Sequence, residues 1–191
     1  MTTTTASATM TALTQHAYGG TEVLRLDRVP TPTPTAAQVL VRVLAVSPDS
    51  GTIHLMKGDP FAVRLALGLR RPRQAVIGLA YAGIIEQVGA TVQGLAVGDR
   101  VAGTAWGAFA ELVVADPSKL ARIPDSVSMT DAATLPVSAS TALQAVRDAA
   151  RVAPGQEVLV IGAGGGVGSF MTQLAVAAGA RVTGLPSAAQ A

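Results

Sequence analysis

The chain has 191 residues, enough for one large domain or two small ones and for a hydrophobic core. Half of the residues are apolar (49%) and only 14% are charged, the reverse of the balance found in disordered chains. The lack of cysteine excludes disulfide scaffolds, thiolate metal sites and cysteine nucleophiles, and a net charge of +2 with acids and bases interspersed gives no support for nucleic-acid binding.

The first eleven residues are rich in threonine, alanine and serine. They have neither the basic start nor the apolar centre of a secretory signal. We therefore expect a disordered tail over residues 1–11 and a cytoplasmic protein.

Short apolar runs separated by turn residues fill residues 12–125, a pattern typical of a small β-barrel or sandwich. An alternating run at 23–29 is followed by a proline-rich tract at 30–34, which cannot pair inside a sheet and predicts an extended connector. Further strands are predicted over residues 39–46, 76–88, 97–103 and 108–115, and a short helix over residues 61–69.

The pattern changes at about residue 126, where we place a second domain running to residue 191. Ser128 or Thr130 is suited to begin a helix, and the alanine-rich segment 138–150 predicts another. In that second helix Leu143, Val146 and Ala150 would share one face.

The last third of the chain predicts a β-α-β unit. A β-branched run at 158–161 indicates a strand buried on both faces, followed by a glycine turn, a helix over 167–178 and a second strand from residue 181. Residues 158–180 carry no charge and are long enough for a membrane helix, but the glycines in their first half favour the strand, turn and helix. We therefore expect no membrane span.

The glycine turn has the spacing G-x-x-G-x-x-G, with Gly162, Gly165 and Gly168 at the glycine positions. A strand, such a turn and a helix start together bind phosphate, because free backbone N–H groups and the positive helix end face the anion. Gly166 and Val167 complete the predicted cradle. The alternative is a turn that needs glycine only for tight packing.

The end of the second strand bears on which dinucleotide would bind. NAD sites place an acid there for the ribose 2′-hydroxyl, and that acid would repel a 2′-phosphate. The sequence has no carboxylate after Glu157 and offers Ser187 instead, which favours NADPH over NADH.

Five motifs together resemble the medium-chain dehydrogenase/reductase superfamily, in particular its zinc-independent quinone oxidoreductase-like branch. The motifs are residues 39–43 (VLVRV), 97–101 (VGDRV), 107–111 (GAFAE), 132–136 (AATLP) with 141–142 (TA), and 162–168 with 173–175 (QLA). The resemblance implies a GroES-like barrel followed by the first β-α-β part of a Rossmann domain, and hydride transfer from NADPH to a quinone, an activated alkene or a carbonyl.

Zinc-dependent relatives carry ligands that this chain lacks. Asp49 stands at the position of their ligand cysteine, Leu79 at that of their histidine and Ala80 at that of their glutamate. A catalytic zinc needs three protein ligands. The resemblance therefore implies no metal, although zinc-independent relatives usually keep an acid at the position of Ala80.

The resemblance also suggests roles for individual residues. His54 would lie near the nicotinamide or substrate and relay a proton, or else lie on the barrel surface. Asp49 would contact substrate, or else make a turn. Thr141 would lie at the domain junction near the nicotinamide, or else on a helix face. Trp106 would line the substrate cleft, or else serve ordinary packing.

Four basic residues form a local cluster, which we expect to lie in a solvated loop rather than to contact a phosphate. They are Arg64, Arg70, Arg71 and Arg73.

Family members are longer, and the sequence carries only the beginning of a Rossmann sheet of about six strands. Two hypotheses follow. One is an NADPH-dependent reductase of small molecules, either as a truncated family member or completed by another chain, with a homodimer as a further possibility. The other is a catalytically inactive member that serves as a structural or interaction module. The substrate itself cannot be deduced from the sequence.

Overall fold

The computed structural model describes residues 8–186, and the chain divides into two compact units with the boundary after Thr134. The first unit contains seven strands in the described residues. They are β1 (Thr9–Gln15), β2 (Leu24–Pro30), β3 (Val39–Ser47), β4 (Ala80–Val88), β5 (Arg100–Thr104), β6 (Leu112–Ala115) and β7 (Leu120–Arg122). Strands β6-β3-β4-β5-β7 form an antiparallel sheet in that order, and β1 pairs with β2 in a hairpin.

Strand β1 connects the hairpin to the rest of the unit. Its Leu13 N–H donates to the Phe109 carbonyl (2.8 Å), and the Ile77 N–H donates to the Leu13 carbonyl (3.1 Å). The strands expected over 76–88 and 108–115 correspond to β4 and β6, which begin a few residues later than expected. The residues before them form isolated bridges to β1 instead.

The core of the first unit lies on the central strands. Val39, Val41 and Val101 are fully buried, and Ile85 is 1% exposed. Tyr81 is fully buried among them, its hydroxyl has no hydrogen-bond partner in the described residues, and burial raises its pKa.

The described part of this unit contains three α-helices: α1 (Ser50–Lys57), α2 (Ala62–Leu67) and α3 (Met129–Thr134). The Ser128 hydroxyl accepts the Asp131 N–H (3.0 Å), so Ser128, of the two candidates, starts α3. Ala132 and Ala133 of α3 are buried against alanines of β4 and β5. The first compact unit therefore includes α3, and the domain boundary expected between residues 125 and 126 stays a prediction.

The second unit contains the β-α-β arrangement. Strands β8 (Glu157–Ile161) and β9 (Arg181–Leu185) pair in parallel, and helix α5 (Gly166–Ala177) connects them. Before them, α4 (Ser140–Leu143) lies between two wide helical turns, Leu135–Ala139 and Gln144–Ala149.

One expectation for this unit is wrong, and another stays a prediction. Of the three residues expected to share one helix face, Val146 is buried, while Leu143 and Ala150 are exposed. Strand β8 is not buried on both faces: Val160 is 2% exposed, whereas Leu159 and Ile161 are 57% and 80% exposed. Helix α5 packs on this two-stranded sheet, and Leu159 and Ile161 lie on a face that no described residue buries.

The expected disordered tail extends too far into the chain. Strand β1 begins at Thr9 and Met10 is buried, so residues 9–11 belong to the hairpin. Residues 1–7 and 187–191, with the predicted cofactor residue Ser187, lie outside the described residues. Nowhere in residues 8–186 is a helix both long enough and apolar enough to cross a membrane.

Candidate functional site

The glycine turn follows β8 directly and leads into α5. Gly162 has a φ of +78°, a conformation that favours glycine, and no heavy atom lies within 4 Å of where its Cβ would stand. At Gly165 a Cβ would meet only the Gly162 carbonyl, at 3.3 Å. Gly165 has an ordinary extended backbone, so glycine serves there to keep space open rather than to relieve strain.

Gly168 has a different role in the same turn. A Cβ at this position would lie 2.1 Å from the Gly162 carbonyl oxygen. The residue is buried in the first turn of α5, and its lack of a side chain lets that turn approach the end of β8. Close packing, the alternative considered from the sequence, therefore explains this glycine.

The helix end offers free donors. In an α-helix the first backbone N–H groups have no intrahelical acceptor, and here they belong to Gly166, Val167 and Gly168. No described side chain caps this end of α5. The open space beside Gly165 can hold a pyrophosphate, and these N–H groups can donate to it. The helix dipole also favours an anion at this position.

The carboxyl end of β9 lies beside the turn. The Leu185 carbonyl accepts the N–H groups of Gly162 (2.7 Å) and Ala163 (3.0 Å). Glu157 lies at the opposite, amino end, where it pairs with Arg181 (2.7 Å). The described end of β9 therefore places no carboxylate next to the turn, up to Pro186.

Thr141 is exposed within the second unit. Its hydroxyl donates to the Val137 carbonyl one turn earlier (2.7 Å). This bond gives the side chain a local structural role, and a cofactor contact by Thr141 stays a prediction.

A separate cavity of about 170 Å³ lies in the first unit. Apolar side chains dominate its lining, among them Leu55, Met56, Ile77 and Leu79. Trp106, which is 56% exposed, also lines it, so of its two possible roles the structure supports the cavity wall.

Two buried polar side chains line this apolar cavity. Gln15 is 3% exposed and Thr52 is 6% exposed. The Gln15 Oε1 and the Thr52 Oγ1 have no hydrogen-bond partner in the described residues, while the Gln15 amide nitrogen donates weakly to the Met56 carbonyl (3.5 Å). An unsatisfied buried polar atom costs about 1–3 kcal/mol, which a polar ligand atom would offset.

Asp49 starts helix α1. Its Oδ1 accepts the Thr52 N–H (2.6 Å), an N-cap that satisfies one of the free donors of the helix. Its other oxygen, Oδ2, is buried and has no partner in the described residues. The structure thus supports the turn-making role considered for Asp49, and substrate contact stays a prediction.

His54 is exposed on α1 and does not line the cavity. The carbonyl of this residue accepts the Asp59 N–H (3.1 Å). A role of His54 in proton transfer therefore stays a prediction.

Two of the three positions compared with zinc ligands are apolar and cannot ligate a metal. Leu79 lines the cavity, and Ala80 is buried at the start of β4. In the part of the chain that the structure describes, no three His, Cys, Asp or Glu side chains are grouped as a metal site.

The basic cluster divides in two. Arg64 lies over the Tyr18 ring (4.6 Å to its centre) and donates to the Gly58 carbonyl (3.0 Å), so it holds the loop structure. Arg71 and Arg73 line a surface depression with His16, and Arg73 also lines the apolar cavity.

Gln15 and Thr52 were not among the site residues predicted from the sequence. For Thr52 a signal existed: Thr52, Leu55 and Met56 have the i, i+3, i+4 spacing of one helix face, and all three line the cavity. For Gln15 the sequence held no comparable signal, because its burial depends on the distant segment that contains Met56.

Comparisons with known proteins match both parts of the chain. Residues 35–125 match the alcohol dehydrogenase GroES-like domain. Quinone oxidoreductase of Mus musculus is 34% identical over 178 residues, which cover 92% of this chain and 52% of that protein.

Solved structures agree. The Escherichia coli quinone oxidoreductase complexed with NADPH matches with a TM-score of 0.82 and 27% identity, over 94% of this chain and 53% of that one. The CurK enoyl reductase matches with a TM-score of 0.86 and 27% identity, over 95% and 55%. The predicted barrel followed by the first part of a Rossmann domain is confirmed, and the chain spans about half the length of these proteins.

Proposed function

Because the chain belongs to the medium-chain dehydrogenase/reductase superfamily, in its quinone oxidoreductase-like branch, we propose that it acts as an NADPH-dependent reductase of quinones or other activated alkenes and carbonyls. The observation that carries this proposal is the glycine turn. It combines an open volume beside Gly165 with uncapped helix N–H groups at the carboxyl end of a parallel strand.

The proposed cofactor contacts come from the turn itself. The N–H groups of Gly166, Val167 and Gly168 would hold the pyrophosphate, and Gly162 and Gly165 keep its volume free of side chains. Bound NADPH would supply a hydride.

NADPH is preferred over NADH in this proposal. The described end of β9 has no carboxylate near the turn, and Glu157 lies at the other end of the sheet. The 2′-phosphate therefore meets no described acidic side chain. The Escherichia coli relative was solved with NADPH, which supports the same choice.

The cavity of the first unit suits the substrate. Its apolar lining would bind a ring or alkyl chain and exclude water, and the Thr52 hydroxyl would donate to a carbonyl oxygen. His54, exposed on the same helix, stays our candidate for supplying a proton from solvent.

The reaction in this proposal does not use zinc. Leu79 and Ala80 cannot ligate a metal, and Asp49 already caps α1. Elemental analysis of chelator-treated protein should find no stoichiometric zinc; one tightly held zinc per chain would refute this part.

A second candidate is an interaction module, and the exposed face of β8 favours it. Leu159 and Ile161 are large, apolar and mostly exposed, and Leu185 of β9 is 48% exposed. Such a surface fits a covering partner chain or a second copy. A module of this kind would assemble without binding NADPH.

A titration with NADPH tests the reductase proposal. Gly165→Val would place a branched side chain in the open volume of the turn, so we expect NADPH affinity to fall at least tenfold, or about 1.4 kcal/mol. The fluorescence of NADPH reports binding without requiring turnover. Ala177→Val, at the exposed far end of α5, is the matched control and should bind as the parent does.

The outcomes separate the two candidates. If the parent and the Gly165→Val protein bind NADPH equally well, the turn is not the phosphate site. If neither binds, the interaction module becomes the better account of the chain.

A further inference from the structure

The apolar cavity and a basic depression adjoin each other in the first unit. Arg73 and Pro72 line both, while Arg71 and His16 line only the depression. A ligand that fills the cavity and extends past Arg73 would therefore reach two guanidinium groups.

The loop that carries these arginines is held in place. The Tyr18 hydroxyl donates to the Gly68 carbonyl (2.7 Å), and the Arg73 N–H donates to the Leu67 carbonyl (2.8 Å). Gly68 has a φ of +125°, and a Cβ there would lie 2.2 Å from the Arg71 carbonyl oxygen. The loop thus presents Arg71 and Arg73 from a fixed backbone.

The charge of the depression is not neutralised by the arginines' neighbours. Among the described residues, Arg71 and Arg73 form no ion pair. No described acidic residue lines the depression, and the Asp27 carboxylate pairs with His16 Nε2 (3.1 Å) rather than with either arginine. Two guanidinium groups therefore stay available to an anion.

The cavity supplies the second half of the recognition. Its two unpartnered oxygens, the Thr52 Oγ1 and the Gln15 Oε1, belong to side chains at least nine-tenths buried. The hydroxyl can donate to a ligand carbonyl, and the amide oxygen can accept from a ligand hydroxyl or N–H.

From these features we infer that the ligand is a conjugated carbonyl compound with a tethered anion. Its apolar chain fills the cavity, its carbonyl oxygen accepts from Thr52, and its carboxylate or phosphate binds Arg71 and Arg73. That the ligand is a conjugated carbonyl compound rests on the proposed reductase function. That it carries an anion does not rest on that function. A simple quinone would leave the arginines unused.

Three matched probes test this inference on the whole chain without cofactor. They are the trans-2-hexenoyl thioesters of N-acetylcysteamine, which is neutral, of N-acetylcysteine, which adds a carboxylate, and of pantetheine 4′-phosphate. Trp106 is the only tryptophan and lines the cavity, so its fluorescence reports binding directly.

At low salt we expect an anionic thioester to bind at least fivefold more tightly than the neutral one, and the preference to shrink in high salt. A stronger response to the phosphate or to the carboxylate identifies which anion the loop recognises. Arg73→Gln and Arg71→Gln should each reduce the preference. Arg70→Gln is the control, because Arg70 lines neither the cavity nor the depression.

Thr52→Val replaces the hydroxyl with a methyl group of similar size and should weaken all three probes alike by about fivefold, which separates the carbonyl contact from the anion contact. Equal binding of neutral and anionic probes, or an equal loss in Arg70→Gln, would overturn the anion site. No saturable response from any probe would overturn the cavity as the ligand site. Since NADPH is absent, either failure is distinct from failure of the proposed cofactor site.

Discussion

The two units of this chain bury their sheets to very different extents. In the first, Val39, Val41 and Val101 are completely buried, and the central strands have neighbours on both edges. In the second, the two-stranded parallel sheet leaves Leu159 and Ile161 exposed. The same β-branched pattern thus yields a closed core in one unit and an open face in the other, because burial depends on what covers a strand.

The largest expected effect comes from the same substitution made in both units. Ile85→Ala removes a fully packed side chain and should destabilise the protein by about 2–5 kcal/mol. Ile161→Ala removes an 80% exposed side chain and should change stability by less than about 0.5 kcal/mol. Calorimetric unfolding of both variants measures the contrast. A large loss from Ile161→Ala would show that another chain covers β8.

A smaller effect, confined to the second unit, is expected at the glycine turn. Gly168→Ala places a Cβ against the Gly162 carbonyl and should destabilise this unit by about 1–3 kcal/mol. Gly166→Ala is the control, since its Cβ would meet only the Ser138 side chain, nearest at the hydroxyl oxygen (3.1 Å), and no backbone atom.

Hydrogen exchange of the α5 amides should detect the Gly168→Ala change, while Trp106 of the first unit should report an unchanged transition. A shifted Trp106 transition would mean that the two units unfold together.

The smallest expected effect is a pH dependence in the first unit. The Ala96 N–H, foremost, and Arg122 of β7 hold the pKa of Asp99 below its usual value. The stabilisation is therefore present above the unfolded pKa of about 3.9 and is lost as pH falls through the lower, folded value.

Asp99→Asn tests this sign. The parent should be more stable than the variant near pH 6, and the two should converge under acid conditions. Denaturant unfolding at several pH values gives the difference, and a constant gap across the acid range would contradict the assignment. The exposed Glu157–Arg181 pair of the second unit should contribute less than about 1 kcal/mol.

The secondary-structure elements predicted correctly from the sequence are those that a local residue pattern determines. The β-branched run at β3 and the strand, turn and helix around Gly162 were located to within a few residues, because periodicity and glycine spacing are local properties. The second helix was predicted over residues 138–150, but the helical backbone already includes Pro136, in the wide turn Leu135–Ala139.

The candidate substrate site could not be predicted in the same way. Its polar atoms come from Gln15 at the end of β1 and Thr52 in α1, and its basic rim from the loop with Arg73. These segments meet only through tertiary packing. Asp49 was singled out because it stands at the position of a zinc-ligand cysteine in relatives. The hydrogen bond by which it caps α1, from the Thr52 N–H, depends on where that helix begins.

Hydrogen exchange with and without NADPH tests the central claim, that the glycine turn of the open unit binds the cofactor. Without NADPH, the amides of β8 should exchange at least tenfold faster than those of β3 and β4, because fewer buried contacts protect them. Saturating NADPH should slow the amides of Gly166, Val167 and Gly168 at least tenfold and leave the central strands of the first unit unchanged. Unchanged exchange at these three amides in the presence of bound NADPH would contradict the account.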